Sequence, residues 1–113
     1  VVLASPLVRT RETAEILVEQ FGCELKFTDA LAPGVTAANV WKSVARYPQA
    51  EQIFLVGHEP DMGMLVRDLV FAGFEFELPF KKGGVCRVDV SDLPPTSPGI
   101  IKWMLPPKVF HSL

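Results

Sequence analysis

The chain has 113 residues, of which 49% are hydrophobic and 21% charged, with a formal net charge of −2. This composition predicts one globular domain with a single hydrophobic core, and the weakly acidic balance argues against a nucleic-acid partner. No apolar run reaches the about 18 residues that span a bilayer, and no signal peptide opens the sequence, so we expect no membrane partner and a cytoplasmic location.

The first elements read as a buried strand followed by an amphipathic helix. Residues 1–4 form a continuous apolar run, which is typical of a strand buried on both faces of a parallel sheet. Ser5 is a favourable N-cap and Pro6 suits the first helical position. We therefore predict a helix from this point to about Phe21, ended by Gly22.

The same alternation continues along the chain. We predict a strand at residues 24–28, a loop at 31–35, and a helix that Thr36 caps and Pro48 ends. A buried strand at 52–57 then leads directly into His58. The 3.6-residue period of the apolar residues predicts a further helix at 60–72.

Beyond residue 73 the hydrophobic period changes from 3.6 to 2. Residues 86–90 alternate between apolar and polar, and residues 100–105 supply a partner strand, which predicts an antiparallel hairpin. Cys23 and Cys86 lack metal-ligand spacing and are expected to be buried free thiols. The order βαβαβα plus hairpin predicts an α/β three-layer sandwich with a mixed, mainly parallel sheet, in one domain covering residues 1–113.

Two strand-to-helix junctions carry groups that bind anions. Ligands in open α/β sheets bind outside the carboxyl ends of the strands, where Ser5 and Arg9 follow one strand and His58 and Glu59 follow another. If these strands are parallel neighbours, Arg9 and His58 converge on one phosphate-binding pocket, because both side chains donate to oxyanions. Structural interpretations stay open: Arg9 can be solvated or paired with Glu12 or Glu59, and a His at a strand end is often structural.

Both junctions resemble segments of one known family. Residues 5–14, Ser-Pro-Leu-Val-Arg-Thr-Arg-Glu-Thr-Ala, and residues 55–60, Leu-Val-Gly-His-Glu-Pro, are similar to two motifs of the phosphoglycerate-mutase-like histidine phosphatase superfamily. Trp103 with Pro106 and Pro107 resembles the ending of its SixA-type phosphohistidine phosphatases. The resemblance covers nearly the whole chain and implies the phosphoglycerate-mutase-like fold.

The resemblance also implies a mechanism. Family members surround a phosphoryl group with two His and two Arg, and one His forms a phosphohistidine intermediate that water hydrolyses. By position, Arg9 would bind the phosphoryl oxygens, and His58 would bind them and stabilise transition-state charge. No cofactor or metal is expected. Glu59 is a candidate proton donor, with Asp29 and Asp61 as alternatives.

One family segment has no counterpart in this sequence. The family nucleophile lies in an N-terminal Arg-His-Gly segment, and neither His58 nor His111 has these neighbours. Because the sequence also starts without Met inside an apolar strand, we expect an N-terminally incomplete domain that lacks its first, central strand. We expect the 113-residue chain alone to be inactive and poorly stable, and the parent protein to be an active phosphatase.

Three functions follow from these features. The leading hypothesis is a monomeric phosphohistidine phosphatase that acts on phosphorylated signalling proteins such as histidine-phosphotransfer domains. The alternatives are a phosphatase of small phosphate esters and a non-catalytic phosphate-binding module. The short loop between Thr28 and Thr36 and the lack of an evident acid favour an open site and an N-phosphoryl substrate.

Overall fold

The computed structural model describes residues 1–34, 36–71, 84–92 and 94–105. Two compact units, Val1–His58 and Glu59–Leu113, make up the chain, and each is described on its own. The last residue of the helix predicted at 60–72 and the Pro106-Pro107 part of the chain ending lie outside the described residues. No described helix is long and apolar enough to cross a membrane.

The first unit contains a parallel three-stranded sheet with two α-helices. In chain order its elements are β1 (Val2–Ala4), α1 (Val8–Phe21), β2 (Leu25–Phe27), a 3-10 turn (Asp29–Leu31), α2 (Ala37–Val44) and β3 (Phe54–Val56). The strand order is β2-β1-β3, and Ala4 lies opposite both Phe27 and Val56. The predicted alternation of strands and helices is therefore confirmed, with ends one to three residues shorter for most elements.

The core of this unit is built on the central strand. All three residues of β1 are buried, as the apolar run at the start of the sequence predicted. Ala14 of α1 is fully buried against Val2 and Ala4, and Leu17 and Val18 pack around them. Burial of an aliphatic side chain contributes about 1.5–3 kcal/mol, so the α1–β1 contact holds the junction between them in place.

The beginning of α1 differs from the prediction. The helix starts at Val8, three residues after Ser5, and its N-cap residue Leu7 makes no side-chain capping bond. Ser5 is not the N-cap because its hydroxyl is used elsewhere, as the site geometry shows. Phe21, the last residue of α1, is 63% exposed, and its ring stacks on Phe54 at 5.3 Å.

The other helix ends in this unit agree with the sequence. Gly22 adopts a left-handed conformation with φ 64°, and its N–H donates to the carbonyl of Val18, which ends α1. Thr36 caps α2, since its hydroxyl oxygen accepts a hydrogen bond from the Asn39 N–H.

The second unit contains α3 (Asp61–Val70) and an antiparallel hairpin of β4 (Val85–Asp89) and β5 (Ile100–Leu105). The predicted hairpin is confirmed. Pro60 was expected as the first helical residue but occupies the N-cap position of α3. Both cysteines are free and half-buried, and burial raises the pKa of the Cys86 thiol.

Gly99 joins the hairpin to α3. Its N–H donates to the Leu69 carbonyl at 2.8 Å, and a Cβ at this position would lie 2.7 Å from Cγ1 of Val88. A side chain at this position would therefore require the Val88 side chain or the backbone to shift.

Candidate functional site

The ends of β1 and β3 bring the two sequence motifs to one edge of the sheet. These strands are parallel neighbours, and the Ser5 N–H donates to the Val56 carbonyl at 3.0 Å. Ser5 directly follows β1 and His58 lies two residues beyond β3. The condition for convergence at the carboxyl edge is thus met, and this is where ligands bind in open α/β sheets.

Ser5 and His58 are in direct contact. The hydroxyl oxygen of Ser5 lies 2.8 Å from Nε2 of His58, which is a hydrogen bond between residues 53 positions apart. Ser5 has no exposed surface, whereas His58 is half-buried. The imidazole is therefore held on one side by the protein interior.

Thr10 supports this contact, and its role was missed from the sequence. It is 5% exposed, and its one hydroxyl proton is shared between the carbonyl oxygens of Ser5 at 2.8 Å and Leu7 at 2.9 Å. The Leu7 N–H donates in turn to the Ser5 hydroxyl oxygen at 3.4 Å. These bonds define the turn between β1 and α1. A Thr five residues after a Ser at a strand end was the available signal.

Arg9 is the second residue of α1, in the opening turn as predicted. Its side chain is exposed, and within the described part of the Val1–His58 unit it forms no ion pair, Glu12 included. The first turn of α1 contains no acidic residue. Arg9 and the helix dipole therefore add to one positive potential at this edge of the sheet.

Arg11 lies two residues after Arg9, on another face of α1, and has a different role. Its guanidinium carbon lies 4.9 Å from the centre of the Phe27 ring, at the end of β2. This cation–π contact holds Arg11 on the edge strand.

The candidate proton donors occupy separate elements. Glu59 begins the second unit, and its Oε1 accepts a hydrogen bond from the Gly63 N–H at 2.8 Å, in the first turn of α3. Asp61 is the first residue of α3, and Asp29 opens the 3-10 turn after β2. The contact of Glu59 stabilises a helix N-terminus; the part of any of these acids in proton transfer stays a prediction.

The arrangement in the first unit suits a tetrahedral anion. An imidazole, a guanidinium and a helix N-terminus all offer N–H donors and favour negative charge. Among residues 1–34, 36–71, 84–92 and 94–105, no group of three His, Cys, Asp or Glu side chains could hold a metal ion.

The parallel sheet, the antiparallel hairpin and three α-helices together form the fold of the phosphoglycerate-mutase-like histidine phosphatases. The solved structure that shows this is that of the protein histidine phosphatase SixA complexed with tungstate. It matches 96% of this chain and 69% of its own, with a TM-score of 0.77 and 20% sequence identity. The predicted SixA-like fold is confirmed.

Sequence comparisons add one relative. No protein-family model matches the chain. An uncharacterized protein of Picosynechococcus sp. is 33% identical over 87 residues, which cover 74% of this chain and 53% of that protein. The chain thus spans about half the length of the curated relative that it matches.

Proposed function

We propose that these residues form the phosphoryl-binding part of a phosphohistidine phosphatase that acts on phosphorylated proteins. The observation that carries the proposal is the hydrogen bond between Ser5 and His58. It joins the two motifs at the carboxyl edge of the sheet, in the unit where Arg9 opens α1. The histidine-phosphatase-like fold supports the proposal, because phosphatases of this fold would use such an arrangement to bind a phosphoryl group.

In the proposed phosphoryl transfer, Arg9 and His58 stabilise charge and form no covalent bond to phosphorus. A nucleophilic imidazole nitrogen attacks phosphorus, the P–N bond to the substrate histidine breaks, and the leaving imidazole takes up a proton. Water then attacks the phosphorylated enzyme histidine, releases inorganic phosphate and regenerates the nucleophile. Throughout, Arg9 and His58 would donate to the equatorial oxygens, where negative charge accumulates.

The nucleophilic His and one of the two phosphate-binding arginines are the components that these 113 residues do not supply by motif. Since the sequence has no Arg-His-Gly tripeptide, hydrolysis is proposed for a polypeptide that joins such a segment to the present residues. Phosphoryl binding is proposed for Arg9 and His58 themselves.

The tungstate in the SixA structure supports an anion site in this fold. Tungstate is a tetrahedral oxyanion with the same shape and charge pattern as phosphate. We also propose that the protein is a monomer that acts in cytoplasmic signal transduction, because phosphorylated signalling proteins, its proposed substrates, occur there.

The test is hydrolysis of a phosphohistidine-bearing phosphotransfer domain by the full-length protein. We expect Arg9→Ala and His58→Ala each to lower kcat/KM by about 100-fold or more, since each removes a donor to transition-state charge. Arg46→Ala, after the end of α2, and His111→Ala are matched controls that should keep normal rates.

Each alternative has its own result in this experiment. Full activity in both Arg9→Ala and His58→Ala would show that the site is wrong. A preference for sugar phosphates over phosphohistidine would favour a phosphatase of small esters. Saturable binding of tungstate without any turnover would favour a phosphate-binding module.

A further inference from the structure

The hydroxyl of Ser5 is placed to choose the tautomer of His58. Within the described residues it has two hydrogen-bonding neighbours, the Leu7 N–H at 3.4 Å and Nε2 of His58 at 2.8 Å. The first of these is a donor, so it uses a lone pair of the hydroxyl oxygen. The imidazole nitrogen is then the acceptor available to the hydroxyl proton.

Burial makes this direction of the hydrogen bond the favourable one. Ser5 has no exposed surface, so water cannot take up an unused hydroxyl proton. If Nε2 carried the hydrogen of a neutral His58, the Ser5 hydroxyl would be left as a buried donor without an acceptor, which carries a desolvation penalty. Donation from Ser5 to Nε2 satisfies both groups.

We propose that Ser5 is a positioning residue that donates to Nε2 of His58 and thereby holds the neutral imidazole with its hydrogen on Nδ1. Nδ1–H is then the ring donor that Ser5 does not engage, and it meets the phosphoryl oxygen. Ser5 itself acts through His58 and does not contact the phosphoryl group, because its side chain has no surface with which to do so.

Thr10 supports Ser5 in this positioning role. Its one hydroxyl proton is shared between the carbonyl oxygens of Ser5 at 2.8 Å and Leu7 at 2.9 Å, and Thr10 is itself nearly buried. Ser5 and Thr10 are the buried polar side chains among the described residues. Thr10 bonds to the backbone carbonyl of Ser5, whereas the Ser5 hydroxyl bonds to His58, so Thr10 acts on the imidazole by fixing the turn from which Ser5 reaches it.

The direct test is the ¹⁵N NMR spectrum of His58 in the full-length protein, at a pH where the ring is neutral. We expect the chemical shift of a protonated nitrogen at Nδ1 and that of an unprotonated nitrogen at Nε2. In Ser5→Ala the tautomer should shift towards Nε2–H, which free histidine prefers. In Ser43→Ala, which removes a half-buried hydroxyl that contacts Thr28, it should not change.

The Nε2–H tautomer in the unmodified protein would overturn the proposal without need of any variant. The Thr10 variants give a second test if Ser5→Ala does not fold. Thr10→Val, which removes the hydroxyl, should mix the two tautomers, and Thr10→Ser, which keeps it, should not. Identical spectra for these two variants would show that the Thr10 hydroxyl does not help to set the tautomer of His58.

The inference rests on the proposed function for the contact of Nδ1–H with a phosphoryl oxygen and for its effect on rate, but not for the tautomer. With a phosphohistidine substrate we expect Ser5→Ala to lower kcat about 10-fold or more, as loss of a supporting hydrogen bond does in other sites, with little change in KM. A raised KM with normal kcat would instead make Ser5 a substrate contact. If the full-length protein has no phosphatase activity, the proposed function fails and the NMR result still decides the role of Ser5.

Discussion

At the scale of single residues, Arg9 occupies a position that electrostatics disfavour. A cation in the first turn of a helix opposes the positive end of the helix dipole, and acidic residues are absent from this turn of α1. An anion bound beside the helix would reverse the sign of this interaction. The free protein is therefore expected to give up some stability for the capacity to bind an oxyanion.

A charge reversal at Arg9 measures both the stability that this residue costs and the activity that depends on it. Arg9→Glu should stabilise the full-length protein by about 0.3–1 kcal/mol at low ionic strength, because it replaces an unfavourable charge with a favourable one. The same change should abolish phosphohistidine hydrolysis. Urea denaturation and the hydrolysis assay measure the two effects.

Arg46 gives the control of opposite sign. It follows the C-terminal end of α2, where a cation is favourable, so Arg46→Glu should lower stability and leave hydrolysis unchanged. A loss of stability in Arg9→Glu equal to that in Arg46→Glu would contradict the dipole argument.

The sequence predicted a phosphate-binding site at the strand ends, and that stays a prediction; the contact between Ser5 and His58 could not be predicted. Strand ends can be located from apolar runs, and that was enough to place Ser5, Arg9 and His58 at carboxyl edges. The hydrogen bond between Ser5 and His58 depends on β1 and β3 being neighbours, which hydrophobic periodicity does not determine. Thr10 was missed for a different reason: its partners are the nearby backbone carbonyls of a turn, whose geometry the sequence pattern does not give.

At the scale of elements, the boundaries show which local preferences prevail. Ser5 followed by Pro6 has the pattern of a helix start, yet α1 begins at Val8 because the Ser5 hydroxyl bonds to His58 and to the Leu7 N–H. A tertiary contact here overrides a local capping preference. Within the described part of the chain, Gly22 and Thr36 have no competing tertiary partner of this kind, and both act as the sequence predicted.

The end of α1 allows a clean measurement of backbone strain. A Cβ added at Gly22 would meet no atom within 4 Å, so any cost of Gly22→Ala comes from its φ of 64° rather than from crowding. We expect Gly22→Ala to lower the free energy of unfolding by about 1–2 kcal/mol. Chemical denaturation of the full-length protein measures it.

Gly22→Asn is the matched control for this variant. Asn adopts the left-handed conformation more readily than Ala, so its cost should be clearly smaller. Equal costs for the two substitutions would mean that the conformation of residue 22 does not limit the stability of this helix end.

At the scale of the whole molecule, the hydrophobic pattern of the sequence predicts the class of fold, whereas the order of the strands in the sheet places the candidate site. The change of hydrophobic period from 3.6 to 2 separates the βα repeats from the hairpin, and both parts are present. The order β2-β1-β3 places the strand that carries Ser5 in the centre of the sheet. Because β1 is central, its end has a neighbour on each side. On one side His58 follows β3, and on the other the Thr28 N–H, after β2, donates to the Ala4 carbonyl.

The last prediction concerns the 113 residues as a polypeptide of their own. Their two histidines are His58 and His111, and neither lies in an Arg-His-Gly segment. His58 is engaged by Ser5 through Nε2, which suits a group that stabilises charge better than one that attacks phosphorus. We therefore expect this chain not to hydrolyse a phosphohistidine peptide under conditions in which a polypeptide that joins an Arg-His-Gly segment to these residues would, as followed by ³¹P NMR with circular dichroism to establish folding. Turnover by the folded chain that disappears in His58→Ala would make His58 the nucleophile itself, and its hydrogen bond to Ser5 would then have to break in every catalytic cycle.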